Sequence, residues 1–295
     1  MEILLGKTLD ELTEVALSVG LPRFAGKQLA EWIYLKRATT FMEMTNISGK
    51  ARSILTQHYC IGRHLPNKEV VSVDGTKKYL FSVNHSCNDE AGTAASTAYV
   101  ESVFIPDEDR STLCVSTQAG CKMGCKFCMT GSLGFICSLS AADILNQIFS
   151  IPDSQRLTNI VFMGEGEPCD NIDNVLRVLE VMTSPWGCAW SPRRITVSSV
   201  GYLKGLKRLL DESQCHIAIS LHNPFSIDRQ AIMPIEKANP ISEVITLLKR
   251  YDFSHQRRLS FEYICFSGEN DTMRHATALR RLLSPLDCRV NLIRY

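Results

Sequence analysis

CKMGCKFC, at residues 121–128, places three cysteines in a C-x3-C-x2-C pattern within a loop rich in glycine and lysine. The apolar run at residues 111–117 predicts a buried strand directly before that loop. Thiolates are the usual protein ligands of iron–sulfur clusters. Three thiolates bind three irons of a 4Fe–4S cluster and leave the fourth open to a ligand that is not protein. The stretch therefore predicts a cluster held by Cys121, Cys125 and Cys128.

Two other interpretations of the three cysteines stay open at this point. Structural zinc usually has four protein ligands, and only Cys114 and Cys137 flank the loop as candidates for a fourth. Chance clustering of free thiols is the weaker alternative. Metal analysis separates a zinc site from an iron–sulfur site.

Composition places the chain among globular proteins without marking a class of partner. Its 295 residues are 45% hydrophobic, as in an ordinary globular protein. The formal net charge is +1, so the net charge alone does not indicate nucleic-acid binding. No signal peptide and no apolar run long enough to span a bilayer are visible. We therefore expect no membrane association, a cytoplasmic location, and mostly free thiols among the twelve cysteines.

Residues 1–65 predict a small helical domain, and residues 66–110 predict a β-rich connection. Thr8 and Glu11 fit a capping box that opens the first helix, at residues 9–19. Two more helices are predicted at about 26–35 and 51–59. The connection contains a hairpin signal around Asp74-Gly75, a polar loop over 84–96, and a strand over 99–105.

Residues 111–295 alternate apolar runs with helical patterns, which predicts an α/β domain with a parallel sheet. The predicted strands and helices are strands 113–117, 159–163, 195–198, 215–221, 259–264 and 289–293, and helices near 141–151, 172–183, 202–212, 241–252 and 271–284. Six βα-type units are fewer than the eight of a closed barrel. A doubly wound open sheet fits the pattern almost as well.

Polar residues gather where these predicted strands end, which is where α/β folds place their sites. They include a Gly-x-Gly-Glu-Pro turn after the second strand and a Ser-x-His turn after the fourth. Taken alone, the first turn is more often an ordinary strand-to-helix connection, and the histidine is more often structural than catalytic.

Two residues outside the cluster loop stand out. Glu101 lies among apolar neighbours in a predicted strand; burial there would desolvate it and make it a stronger base. The alternative is that Glu101 faces solvent on an edge strand. Cys114 lies in the strand before the cluster loop and, taken alone, reads as a small buried hydrophobe.

Six motifs occur in one order along the chain, and together they resemble the RlmN family of dual-specificity RNA adenine C2-methyltransferases, within the radical S-adenosylmethionine (SAM) enzymes. They are Glu101-Ser102-Val103, Cys114-Val115-Ser116, residues 121–128, residues 163–168, Ser220-Leu221-His222 and Asn291-Leu292-Ile293. The resemblance covers essentially the whole chain. It favours an open (β/α)6 partial TIM barrel with a small N-terminal helical domain that contacts RNA.

The resemblance also implies roles for individual residues. Cys121, Cys125 and Cys128 would bind the 4Fe–4S cluster, Glu101 would accept the proton from adenine C2, and Cys114 would form the disulfide that releases the product. The matching SAM-binding positions are Gly166, Glu167, Ser198, Ser220, Leu221, His222 and Asn291. The substrates implied are an adenosine of large-subunit (23S) ribosomal RNA and the adenosine next to the tRNA anticodon. A flavodoxin- or ferredoxin-like protein would donate electrons to a monomeric enzyme.

The family's methyl-carrying cysteine follows the last strand by some tens of residues, beyond Tyr295, and neither Cys265 nor Cys288 matches it. If the protein ended at Tyr295, we would expect SAM cleavage without methyl transfer. Two alternatives to C2 methylation stay open on the motifs. One is the related C8-adenosine methyltransferase of the Cfr type, and the other is a non-catalytic RNA-binding protein with a structural metal site.

Overall fold

The computed structural model describes residues 1–85 and 96–295. They form two compact units: residues 1–113, 139–157 and 173–191 make the first, and residues 114–138, 158–172 and 192–295 make the second. The domain boundaries predicted after residues 65 and 110 stay a prediction.

The first unit begins with the three predicted helices and two short strands that pair in parallel. These elements are β1 (Glu2–Ile3), α1 (Leu9–Ser18), α2 (Ala25–Ala30), α3 (Gly49–His58) and β2 (Tyr59–Cys60). Thr8 and Glu11 form the predicted capping box at the start of α1. A Cβ on Gly26 would lie 2.6 Å from the Cα of Thr13, so glycine is needed where α2 approaches α1. The predicted second helix changes to π-helical geometry over Glu31–Leu35.

An antiparallel ribbon of three strands follows in the first unit: β3 (Lys68–Val71), β4 (Lys77–His85) and β5 (Ser96–Pro106). The strand β6 (Ser111–Cys114) begins in the first unit, ends in the second, and lies next to β5 in the strand order. Tyr79, Phe81, Val100 and Phe104 alternate along β4 and β5 and are buried, which gives the ribbon one apolar face. The polar loop predicted over 84–96 falls largely on residues 86–95, outside the described residues.

The remaining elements alternate along the chain. They are β7 (Gln118–Gly120), α4 (Met129–Ser132), β8 (Phe135–Ser138), α5 (Ala141–Phe149), β9 (Asn159–Phe162), α6 (Ile172–Thr183), β10 (Ile195–Ser199), α7 (Leu203–Glu212), β11 (His216–Ser220), α8 (Ser226–Ile232), α9 (Ile241–Leu248), β12 (Leu259–Cys265), α10 (Met273–Leu283) and β13 (Arg289–Arg294). The predicted first strand ends at Cys114 rather than Thr117. The hairpin of β7 with β8 and the helix α8 were not predicted.

A parallel sheet forms the centre of the second unit. Its strands run in chain order from β9 to β13, and every neighbouring pair is parallel. In β11, Ile217, Ala218 and Ile219 are all buried, as expected for a strand covered on both faces. A doubly wound sheet would reverse its strand order at a switch point. The sequential order within this unit fits the partial barrel instead.

Candidate active site

Two glycines shape the loop that carries the three cysteines. Gly120 has φ +72°, and a Cβ there would lie 1.9 Å from the carbonyl oxygen of Gly134, so only glycine fits. Gly124 has φ +62°. The Cys121 N–H donates to the Gly134 oxygen at 2.9 Å, and the Cys128 N–H donates to the Cys125 oxygen at 3.1 Å. The β7–β8 hairpin therefore closes the base of the loop.

Contacts with the segment around α8 and with β11 anchor the loop. The Lys126 N–H donates to the carbonyl oxygen of Ile232, at the end of α8, at 2.9 Å. Met123 and Cys125 are buried against Met233. Phe127 meets His222 edge to face, with ring centroids 4.7 Å apart. The loop is thus held against both neighbouring segments.

The three cysteines line one cleft of about 240 Å³ together with residues from the ends of the parallel strands. The predicted site residues that share this lining are Cys121, Cys125, Cys128, Gly166, Glu167, Ser198, Ser220 and His222. Leu221 is fully buried beside it. The structure therefore brings together most residues that the sequence singled out, at the carboxyl ends of the strands where they were expected.

The cysteine thiols influence one another across this cleft. Burial, and then the charges of Cys128 and Cys121, raise the pKa of Cys125 to about 12. Burial also raises the pKa of Cys121. Such thiols stay protonated at neutral pH unless a cation binds, because a bound metal offsets the cost of the thiolate charge.

The donor set fits an iron–sulfur cluster. Within residues 1–85 and 96–295, no three His, Cys, Asp or Glu side chains converge on one point as ligands of a single ion. A 4Fe–4S cluster binds each thiolate at a different iron, so its ligands surround a volume and need not meet at a point. Three free thiols around one cleft match that requirement.

The turn after β9 packs tightly on the chain between β6 and β7. A Cβ on Gly164 would lie 2.6 Å from the Ser116 hydroxyl oxygen, and one on Gly166, whose φ is +95°, would lie 2.5 Å from the Gln118 Cβ. The Glu165 N–H donates to the Ser116 hydroxyl at 2.9 Å. Both glycines are needed for this close approach, and they leave backbone rather than side chains at the edge of the cleft.

Glu167 is buried and joins this turn to the end of β10. Its Oε1 accepts the Cys169 N–H at 3.0 Å, and its Oε2 accepts the Val200 N–H at 2.9 Å. Burial raises the pKa of Glu167, and these backbone hydrogen bonds oppose that rise. Both carboxylate oxygens thus accept hydrogen bonds from the protein backbone, although the residue also borders the cleft.

Arg229 is a fully buried side chain that sequence reasoning missed. It donates to the carbonyl oxygens of Val200 at 2.8 Å, Ser220 at 2.9 Å and Leu221 at 3.1 Å, and it pairs with buried Glu236. Burial lowers the pKa of Arg229, and the Glu236 carboxylate opposes that change. One guanidinium therefore fixes the ends of both β10 and β11.

His222 is the last residue of the Ser-x-His turn and has a left-handed conformation, with φ +55°. Its Nδ1 accepts the Ile264 N–H at 3.1 Å. Burial, and then the charge of Arg229, lower the pKa of His222 to about 4. The ring is therefore neutral at physiological pH, and its Nε2 carries the remaining proton.

Glu262 is a second residue of the cleft that the sequence did not reveal. Its Oε2 accepts from the Asn291 side-chain amide at 2.7 Å, and its Oε1 accepts from the Ser260 hydroxyl at 3.1 Å. A carboxylate only accepts, so it turns the amide nitrogen of Asn291 toward itself and leaves the amide oxygen for another donor. The alternation in β12, with Phe261 and Tyr263 buried on one face, is the signal that places Glu262 on the other.

Family models match most of the chain. Residues 115–280 match the family model of the radical SAM superfamily, and residues 3–61 match that of the ribosomal RNA large subunit methyltransferase N-terminal domain. The chain belongs to the RlmN family of radical SAM proteins.

Individual relatives cover nearly the whole chain. It is 55% identical, over 99% of its length and 82% of the relative's, to the "Probable dual-specificity RNA methyltransferase RlmN" of Parabacteroides distasonis. It is 38% identical to the dual-specificity RNA methyltransferase RlmN of Geobacter sulfurreducens, over 98% of this chain and 77% of that one. A crystal structure of a radical SAM methyltransferase from Sphaerobacter thermophilus superposes with a TM-score of 0.87 at 34% identity, covering 99% and 84% of the two chains. This likeness confirms the predicted fold class.

Glu101 faces solvent in this RlmN-family chain. Val100 and Ser102 point into the first unit and are buried, so the alternation of β5 turns Glu101 outward. Its side chain is 49% exposed and pairs with Lys78 at 3.2 Å. Of the two environments that the sequence left open for Glu101, the structure therefore shows the one that faces solvent.

Cys114, at the end of β6, is half-buried. Burial raises the pKa of its thiol to about 11. The thiol is therefore protonated at neutral pH and must lose a proton before it can form a disulfide.

Across the described parts of this RlmN-family chain, no helix has the length and apolar character needed to cross a membrane.

Proposed function

We propose that the protein is a radical SAM RNA methyltransferase that methylates adenosine C2 in large-subunit ribosomal RNA and next to the tRNA anticodon. One observation carries the proposal. Three free thiols share a cleft with the ends of parallel strands, in a chain 55% identical over nearly its full length to an RlmN methyltransferase. Its cofactors are a 4Fe–4S cluster and SAM.

We assign the cluster to Cys121, Cys125 and Cys128, with SAM beside it in the same cleft. When bound, the cluster supplies the electron that cleaves SAM to methionine and a 5′-deoxyadenosyl radical. The polar groups of the strand ends would bind and orient SAM: Gly166, Glu167, Ser198, Ser220, Leu221, His222 and Asn291. Arg229 supports this arrangement by fixing the carbonyl groups of Ser220 and Leu221.

The Asn291 amide and the backbone around Gly166 have different roles in this assignment. Glu262 holds the Asn291 nitrogen, so the Asn291 oxygen is left to accept from a hydroxyl or amino group of SAM. Gly166 presents backbone at the edge of the cleft, where a side chain would be excluded.

Glu101 would accept the proton from adenine C2, and Cys114 would form the disulfide that releases the methylated base. The exposure of Glu101 supports this role, because an RNA base can reach the carboxylate without rearrangement of β5. The ion pair with Lys78 keeps a positive charge beside it. We further propose a cytoplasmic monomer that receives electrons from a flavodoxin- or ferredoxin-like protein.

One anaerobic assay tests the proposal against C8 methylation. The protein is loaded with iron and sulfide and incubated with SAM, reductant and unmodified ribosomal RNA or tRNA, and the digested nucleosides are identified by mass spectrometry. We expect 5′-deoxyadenosine and 2-methyladenosine, and neither from the Cys125→Ala variant. Formation of 8-methyladenosine would contradict the assignment. Formation of 5′-deoxyadenosine with no methylated adenosine would contradict methyl transfer and leave the cluster and SAM assignments in place.

A further inference from the structure

A groove separate from the active-site cleft runs along α10 in the second unit. It encloses about 750 Å³ and is lined by Pro224, Phe225, Met273, Arg274, Thr277, Ala278, Arg281 and Leu282. The Arg274 guanidinium lies 4.3 Å from the centre of the Phe225 ring, in cation–π geometry. The groove thus combines an aromatic floor with two positive charges.

The charge of this groove is one-sided. Helix α10 carries Arg274, Arg280 and Arg281 and no Asp or Glu. The acidic residues nearest in sequence, Asp228 and Asp271, do not belong to the lining. The lining of the groove therefore presents positive charge to a partner.

Apolar side chains surround the same charges. Met273 is 80% exposed, and Pro224 and Leu282 also line the groove. Single exposed apolar residues are ordinary, but an apolar surface with a charged rim is typical of a protein-binding site. Aliphatic groups offer an RNA base no hydrogen bonds and little stacking, so the lining fits a protein partner better.

Two short connections link the groove to the loop that carries the cysteines. Phe225, in the lining, directly precedes α8, and the carbonyl oxygen of Ile232 at the end of that helix accepts the Lys126 N–H. Phe225 follows His222 by three residues, at most about 11 Å between Cα atoms. His222 in turn contacts Phe127, between Cys125 and Cys128.

We propose that this groove docks the acidic electron-carrier protein that reduces the cluster. The inference rests on the proposed function, because only a cluster bound by the three cysteines needs such a donor. One electron leaves the carrier and enters the cluster, so the carrier is oxidised by one electron and the cluster is reduced by one. No proton or chemical group is transferred. Carboxylates of the carrier would face Arg274 and Arg281, and its apolar contacts would cover Met273 and Phe225.

Charge reversal on α10 tests the docking surface. The variant is Arg274→Glu with Arg281→Glu, both exposed, in the holoenzyme loaded with its cluster. The control is Arg280→Glu, which reverses one charge on the same helix at a position outside the lining, and it is compared with each single reversal as well as with the double variant. Binding of an acidic flavodoxin is measured directly by thermophoresis. SAM cleavage is measured with flavodoxin and, separately, with dithionite, which needs no docking.

We expect the double variant to raise both the Kd and the KM for flavodoxin by about tenfold or more, because reversed charges repel an acidic partner. The dithionite-driven rate should stay within about twofold of the unmodified protein, and the control should stay within about twofold in every assay. The flavodoxin Kd of the double variant should rise less at high salt, where the charges are screened.

Three results would overturn the inference: an unchanged flavodoxin Kd, an equal effect of the Arg280→Glu control, or weaker RNA binding with flavodoxin binding intact. The last would make the groove an RNA contact. If the dithionite rate also fell, the Kd would still decide, since binding needs no catalysis. Absence of 5′-deoxyadenosine from the unmodified protein with dithionite would instead count against the proposed function.

Discussion

The strand ends of the second unit and the antiparallel ribbon of the first unit surround their carboxylates with different partners. Glu167 and Glu236 are buried and accept backbone N–H groups, and Glu236 also pairs with buried Arg229. Glu101, on the ribbon, is half-exposed and pairs with Lys78 across two strands.

The buried carboxylates have a structural role, whereas the exposed carboxylate can take part in chemistry. A buried charge must be paired and hydrogen-bonded to be tolerated, so the buried carboxylates hold the walls of the cleft in one geometry. An exposed carboxylate retains its access to solvent and to a substrate. The cleft should therefore be sensitive to loss of any buried partner, while the ribbon should tolerate loss of the partner of Glu101.

Loss of a cysteine should have the largest effect. In Cys128→Ala the cluster loses one of three thiolates, so we expect iron content to fall and SAM cleavage to drop below detection, at least about a thousandfold. Cys60→Ala, a thiol of the first unit outside the cleft, is the matched control and should keep both. Normal cleavage in Cys128→Ala would show that the cluster lies elsewhere.

Removing the two positive partners compares the regions directly. Arg229→Met leaves Glu236 as an uncompensated buried charge and removes the hydrogen-bond donor of three carbonyl groups. We therefore expect the free energy of unfolding to fall by about 3–5 kcal/mol. Lys78→Met breaks an exposed pair and should cost less than about 1 kcal/mol. Urea denaturation of the two variants measures both values. Equal losses of unfolding free energy in the two variants would contradict the distinction between the cleft and the ribbon.

Acid should destabilise the cleft through His222. Its folded pKa of about 4 lies below the unfolded value of 6.5. The unfolded chain therefore binds a proton first as the pH falls through this window. Stability from the neutral ring is complete above pH 6.5 and is lost between about 6.5 and 4, by about 3 kcal/mol in all.

His222→Asn provides the comparison for this pH dependence, because Asn tolerates the positive φ of the position. Urea denaturation of the cluster-free proteins at pH 7 and pH 4.5 should show a loss about 2–3 kcal/mol larger in the unmodified protein. The same loss in both proteins would show that the ring does not stay neutral in the fold.

A smaller effect is expected at Glu262, which lies in the cleft and whose carboxylate accepts hydrogen bonds from the side chains of Asn291 and Ser260. Glu262→Gln loses the charged acceptor that orients Asn291, so we expect the Kd for SAM to rise about five- to tenfold. Glu269→Gln, on an exposed loop outside the cleft, is the control. Calorimetric titration of the cluster-loaded proteins measures both. An unchanged Kd would mean that Asn291 is oriented without Glu262.

Local signals in the sequence were sufficient for the strands and the cysteine loop. The apolar run of β11 predicted that strand to within one residue, because a strand buried on both faces is apolar throughout. The cysteine spacing predicted a shared site because three thiols in eight residues have little room to separate. The short elements β7, β8 and α8 depend on packing by their neighbours, so their own residues did not predict them.

The sequence did not predict which polar side chains are buried or which groups they contact. Arg229 lies in a polar segment, SIDRQAI, that reads as a solvated helix face, and its burial depends on carbonyl groups from two other strand ends. The sequence left the environment of Glu101 open for a related reason. Its apolar neighbours on the same face, Tyr99 and Val103, are themselves partly exposed. Apolar neighbours therefore did not make that face part of the core.

Metal analysis of the anaerobically purified protein tests the central claim most directly, since the cleft of the second unit is assigned to an iron–sulfur cluster. Iron, zinc and acid-labile sulfide are quantified per chain, beside the Cys128→Ala variant. The account predicts about four irons and four sulfides per chain, with loss of most of both in the variant. Zinc at one per chain without iron, in a protein that still binds RNA, would contradict it.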